Sequence, residues 1–201
     1  MKPTAPPPPK RRVEAVVLGA SAGGIEALFT LLSGLPPTWS LPMVIVLHVP
    51  ENHESHLPQI FADRLHLPVH EAADKMPLVA GHVYFAPPGY HLSIERDRRF
   101  SLSCEPPVHF SRPSIDVLMS SAADAYGRSL AGMLLTGANE DGAEGLQRIQ
   151  QAGGITAVQD PNEAQISIMP QAAIALHSPD HVLPLRELRA LLLQLESAHA
   201  H

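Results

Sequence analysis

The chain has 201 residues, 45% of them hydrophobic, which is enough for one well-buried domain and too little for two generous ones. Its formal charge is −6, with lysine only at positions 2, 10 and 75 and no basic stripe, which argues against a nucleic-acid partner. The sole cysteine, Cys104, excludes an intramolecular disulfide and fits a reducing, cytoplasmic compartment.

Residues 1–12, "MKPTAPPPPKRR", contain four consecutive prolines and no apolar stretch, so they read as a disordered Pro-rich tail and not as a signal peptide. The ordered domain is expected over 13–197. Its first apolar run, "VEAVVLG" (13–19), predicts a strand followed by a helix near 23–33; "PMVIVLH" (42–48) predicts a second strand, with a helix near 54–65. Short strands are expected at 82–87, 91–95 and 99–104. A helix over 113–127, a buried strand over 130–137, a helix near 142–152 and a strand at 154–159 follow, and helices near 170–177 and 185–196 complete the chain. The longest apolar runs are strand-sized, so no membrane insertion is expected.

Fully apolar strands joined through helices predict an α/β fold, a doubly wound and mostly parallel sheet with helices on both faces. The 82–104 stretch lacks helical crossovers and predicts a small β-hairpin insertion. In such sheets ligands bind beyond the carboxyl ends of the strands. The polar residues that directly follow buried strands are Ser21, His48 and the segment "TGANED" (136–141).

The Gly-rich loop after the first strand raises the question of a nucleotide. A dinucleotide fingerprint needs Gly where Ser21 stands and an acidic residue where the second strand closes with His48, and no G-K-[ST] follows for a P-loop. "GASAG" (19–23) instead matches G-x-S-x-G, the elbow that lifts a serine nucleophile. Helix capping by Ser21 is the bland alternative. A serine needs a base. Of the twelve histidines, His53, His56, His66, His70 and His109 read as surface residues, and His199 and His201 fall in the last few residues. His48 alone ends a buried strand beside the first. The base in turn needs an orienting carboxylate, and Asp141, next to Glu140, follows the 130–137 strand, where it could equally cap its own helix. His48, His53, His56 and Glu54 match no zinc spacing, so neither metal nor cofactor is expected. Asp116 and Asp124 read as a solvated helix face, and Cys104 as inert.

Six stretches in order, "LGASAGGIEAL", "LHVP", "FAPPGYHLSI", "RPSIDVLMSSAADAYG", "LLTGANEDGAEGLQRIQQAGG" and "MPQAAIA", resemble the catalytic domain of the bacterial chemotaxis protein-glutamate methylesterase (CheB-type) family. The resemblance runs from Val13 to about Pro184. It implies a Ser–His–Asp hydrolase that removes methyl groups from glutamate γ-methyl esters on the cytoplasmic helices of chemoreceptors and releases methanol; many members also deamidate receptor glutamines. By motif, the nucleophile is Ser21, the base His48 and the orienting acid Asp141, with backbone N–H groups of Ala22 and Ala138 as oxyanion donors. The implied partner is a methylated chemoreceptor cytoplasmic domain, alongside other chemosensory signalling proteins. The family often has Thr at the position of Ala22, and T-G-M-G-x-D-G where residues 136–142 read T-G-A-N-E-D-G; Asn139 would suit a left-handed backbone there. Members usually carry an N-terminal receiver domain, and here the Pro-rich tail stands in that position, so an open active-site face is expected. The alternative reading is a non-catalytic receptor-docking scaffold, which would not need all three of Ser21, His48 and Asp141. The three side chains are expected to form one hydrogen-bonded chain.

Overall fold

The computed structural model describes residues 12–49 and 56–199. The tail expected at 1–12 therefore lies outside the described residues apart from Arg12, as do His53 and the beginning of the helix expected at 54–65.

The chain alternates strand and helix: β1 (Ala15–Ala20), α1 (Gly24–Leu32), β2 (Met43–Leu47), α2 (Leu57–Ala62), β3 (Val69–Glu71) and β4 (Val83–Phe85). A two-stranded excursion, β5 (His91–Ile94) and β6 (Phe100–Ser103), leads to α3 (Ile115–Tyr126) and β7 (Leu130–Leu134). Then come α4 (Ala143–Gln151), β8 (Ile155–Gln159), α5 (Ile168–Leu176), β9 (His181–Leu183) and α6 (Leu185–His199). Seven strands form one sheet in the order β3-β4-β2-β1-β7-β8-β9, every pair parallel.

The apolar runs are continuous because the central strands are covered on both faces. Along β1, Val16, Leu18 and Ala20 join one core with Leu28, Leu31 and Leu32 of α1, Phe61 of α2 and Leu188 and Leu192 of α6. The intervening Ala15 and Val17 join a second core with Leu118 and Met119 of α3, Leu146 and Ile149 of α4 and Met169 of α5. β2 divides in the same way, Met43, Ile45 and Leu47 against Val44 and Val46. This is the doubly wound arrangement expected from the sequence.

The antiparallel hairpin is present as β5–β6, with Leu92 opposite Leu102. It is narrower than the expected 82–104 stretch, because β4 leaves it and pairs parallel with β2, Met43 opposite Val83. All three β4 residues are buried, as an inner parallel strand requires. The edge strands β3 and β9 were not expected: each is three residues long and partly exposed, so neither carries an apolar run to read.

The order in which strands are added reverses at β1. The strands on one side of it, β2, β4 and β3, follow it early in sequence, and those on the other, β7, β8 and β9, come late. The carboxyl ends of β2, β1 and β7 thus meet at a switch point, the position where such sheets hold ligands. Backbone hydrogen bonds continue the pairing past the strand ends: His48 N to Ala20 O at 3.1 Å, Leu135 N to Gly19 O at 2.9 Å and Ser21 N to Thr136 O at 2.9 Å.

Candidate active site

The elbow after β1 is tight. Gly23 has φ 79°, a left-handed conformation, and Gly24 packs so closely under the strand that a Cβ there would stand 2.5 Å from Leu47 Cδ1 and 2.8 Å from Ala20 Cβ. Gly24 N donates to Ser21 O at 2.8 Å, closing the turn. The N-cap of α1 is Gly23, with no side-chain cap, so the hydroxyl of Ser21 is not engaged in capping. Ser21 lines an open cleft of about 320 Å³ together with Ile25, Glu26, His48 and Gln165.

His48 Nε2 is 2.7 Å from Asp141 Oδ2. Since an ionised carboxylate only accepts, Nε2 carries the proton and Nδ1 is left with its lone pair, the basic nitrogen. Ser111 Oγ stands 3.5 Å from that Nδ1. Among the described residues Ser21 Oγ makes no hydrogen bond to the imidazole, so the expected chain of three is closed only at its His48–Asp141 link. Catalytic contacts of this kind are often long before substrate arrives.

Asp141 does not cap its own helix, whose N-cap is Gly142. It serves the N-terminus of α3 instead. Oδ1 accepts from Ser114 Oγ at 2.8 Å and Asp116 N at 3.0 Å, and Oδ2 from Ile115 N at 2.7 Å as well as from His48. The carboxyl is fully buried. Burial pushes its pKa up, but the bond from His48, the two backbone N–H groups and the Ser114 hydroxyl outweigh it and hold the group below the ordinary carboxylate range. It is therefore a fixed negative charge behind the imidazole. His91, to which no role was assigned from sequence, holds the anchor from behind: Ser114 N donates to its Nδ1 at 3.1 Å and its Nε2 donates to Pro106 O at 3.0 Å.

Three expectations are corrected here. Asp116 is buried and is not part of a solvated face, because α3 turns its N-terminal residues onto α4, where Gly145 N donates to Asp116 Oδ1 at 2.6 Å. Desolvation, reinforced by Asp141 nearby, pushes its pKa up to about 7. His109 is not a free surface residue either. Its Nε2 lies 3.4 Å from Asp116 Oδ2 and its Nδ1 3.3 Å from Glu140 Oε1. Asn139 has no positive φ; its side chain is what the site uses, with Nδ2 donating to Ser111 Oγ at 3.2 Å and His109 O at 3.4 Å, while Oδ1 accepts from Asp141 N at 3.3 Å. Ser111, His109 and Asn139 thus form a wall beside His48; Asn139 lies in the segment already placed at this edge, whereas no sequence motif flagged Ser111 or His109.

The backbone N–H groups of Ala22 and Ala138 sit on exposed residues of the two loops that frame the strand ends. Among the described residues neither has a hydrogen-bond partner, so both N–H groups are available as donors at this edge. Thr136 ties the loops together, its Oγ1 donating to Ala22 O at 2.9 Å and accepting from Ile166 N at 2.9 Å. No group of three or more His, Cys, Asp or Glu suited to a metal occurs among the described residues.

A seryl hydroxyl on a strand–helix elbow, an imidazole and a buried carboxylate, together at one sheet edge, are the parts from which serine hydrolases are built. The chain belongs to the CheB methylesterase family, whose model matches residues 16–192. A protein of Leptospira interrogans provisionally named protein-glutamate methylesterase/protein-glutamine glutaminase is 45% identical over 183 residues, covering 91% of this chain and 95% of that one. Protein-glutamate methylesterase/protein-glutamine glutaminase 2 of Anaeromyxobacter dehalogenans is 44% identical over 184 residues, 92% of this chain and 54% of its own length. The crystal structure of the Thermotoga maritima CheB methylesterase catalytic domain superposes with a TM-score of 0.86 at 28% identity, over 91% of this chain and 98% of that one.

Proposed function

We propose that this chain is a protein-glutamate methylesterase in which Ser21, His48 and Asp141 form the catalytic triad. The observation that carries this reading is the 2.7 Å bond from His48 to a buried Asp141, at the mouth of the cleft that Ser21 lines. Ser21 Oγ attacks the γ-carbonyl of a methylated glutamate while His48 Nδ1 takes its proton. The oxyanion rests on the N–H groups of Ala22 and Ala138. His48 returns the proton to the departing methoxide, methanol leaves, and water, deprotonated by the same nitrogen, hydrolyses the glutamyl–serine ester. No cofactor takes part.

The catalytic unit in this reading is residues 13–197, a span supported by the family match over 16–192. The names of the relatives support both methyl-ester hydrolysis and glutamine deamidation, since one acyl-enzyme serves both leaving groups. The substrate is the helical cytoplasmic region of a methylated chemoreceptor, which puts the enzyme in the cytoplasm; among the described residues no helix is long and apolar enough to cross a membrane.

Methanol release from a methylated receptor fragment tests the proposal. Ser21→Ala removes one oxygen from a preformed turn, so the rate should fall by on the order of 10⁴ to 10⁶ while the melting temperature stays put. Near-normal turnover by purified Ser21→Ala protein would sink the covalent mechanism and leave the docking-scaffold reading standing.

A further inference from the structure

The turn Val108–Ser111 beside the catalytic imidazole is built at a conformational cost. Two hydrogen bonds close it, Val108 N to Ser111 O at 3.1 Å and Ser111 N to Val108 O at 2.8 Å, and both central residues have positive φ, His109 at 47° and Phe110 at 61°. Such a turn favours Gly or Asn, and a bulky aromatic there is an outlier. Phe110 is also the most exposed large hydrophobic residue among those described, with its whole side chain in solvent. Its neighbours are pinned to the site: His109 lies between Asp116 and Glu140, Ser111 Oγ is 3.5 Å from His48 Nδ1, and Asn139 bonds to both. A strained turn held rigidly by the catalytic wall therefore presents an unburied phenyl ring one residue from the side chain that touches the base. Ile25, itself 40% exposed, lines the cleft of Ser21 and His48 and adds apolar surface at its mouth.

We propose that Phe110 is a substrate-positioning residue, whose ring enters an apolar gap between side chains of the helical protein substrate next to the esterified glutamate. This rests on the methylesterase reading and adds to it how a macromolecular ester is held. On a helix, side chains three and four positions apart are neighbours, so a ring beside the cleft can meet an apolar residue one turn from the reacting one. The binding is of ring to protein surface, and the ester itself needs none of it.

The test compares a methylated helical receptor fragment with a small glutamate γ-methyl ester, using Phe110→Asn and Phe110→Tyr. Asn tolerates the positive φ, so the first variant keeps the turn and removes only the ring. On the helical fragment Phe110→Asn should raise KM about tenfold or more, the scale on which burial of a phenyl ring contributes, with kcat little changed, and Phe110→Tyr should restore it. On the small ester both variants should match the parent chain. Unchanged KM on the fragment overturns the proposal. Equal losses on both substrates also overturn it, since the turn would then matter only by supporting His48. If the ring instead seats in a second copy, sedimentation will show a dimer that Phe110→Asn dissolves, with KM unaltered. Should the parent chain hydrolyse neither substrate, the methylesterase reading fails by itself. Direct binding of the fragment to the Ser21→Ala protein, with and without Phe110→Asn, then still decides whether the ring anchors a helix.

Discussion

Asp141 spends both carboxylate oxygens on four donors from two directions, three at the start of α3 and one from the imidazole. An amide in its place keeps one acceptor and turns an N–H₂ toward groups that are themselves donors. Asp141→Asn should therefore do two things at once. The rate should drop roughly 10⁴-fold, as expected when the carboxylate that fixes a catalytic tautomer is lost. Stability should also fall, since each buried donor left unpaired costs about 1–3 kcal/mol. Thermal melting and methanol release measured on the same preparation separate the roles: a lower melting temperature with full activity would reduce Asp141 to a helix anchor. At this scale the sequence was partly legible. Ser21, His48 and Asp141 stand out because each directly follows an apolar run, and the structure brings them to one edge. Which helix Asp141 serves was not legible, because that depends on α3 and α4 packing side by side. For the same reason Asp116, at a position that reads as a solvated face, turns inward.

At the scale of elements, the junction of β1 with α1 sets where the hydroxyl stands. Gly24 lets the helix start directly beneath the strand, against Leu47 and Ala20. Gly24→Ala forces a methyl into contacts of 2.5 and 2.8 Å with side chains that are already buried. Overpacking of this kind costs about 1–3 kcal/mol, a fall of roughly 2–12 °C in melting temperature for a domain of this size. Because the shift acts on the elbow itself, kcat should fall further than stability alone accounts for; a variant that melts normally and turns over normally would show that the junction yields without moving Ser21. The elements were readable where they are long and apolar. The short edge strands and the place of β4 in the main sheet were not, since three residues carry no period and sheet membership is decided by a distant partner.

Across the whole molecule, two buried carboxyls on adjoining elements pull stability in opposite directions with pH. Asp141, held below its ordinary value, contributes stability that is present above the unfolded pKa and lost as the pH falls through its folded one. Asp116, pushed up to about 7, does the reverse: between about pH 4 and 7 the folded state holds a proton that the unfolded chain has released, so its contribution weakens as the pH rises through that window. The titratable groups facing it are Asp141 from the loop before α4 and His109 from the turn; Glu140 lies beyond His109, and His48 beyond Asp141. Asp116→Asn keeps an acceptor for Gly145 N but has no proton to lose. Its melting temperature should accordingly fall less between pH 5 and pH 8 than that of the parent chain. Parallel curves for the two proteins would show that Asp116 is not the source of the slope.

The position of β1, between a strand that follows it closely and one that arrives more than a hundred residues later, has a consequence in time as well as in space. The elbow and the β1–β2 pair are local in sequence and can assemble early. Asp141 reaches His48 only after β7 has docked on the far side of β1, and closing so long a stretch of chain is the entropically slow kind of contact. A chain stalled before that docking has its serine and its histidine but no fixed charge behind the base. In the proposed mechanism the base is therefore complete only once β7 has paired with β1, because that pairing brings Asp141 to His48.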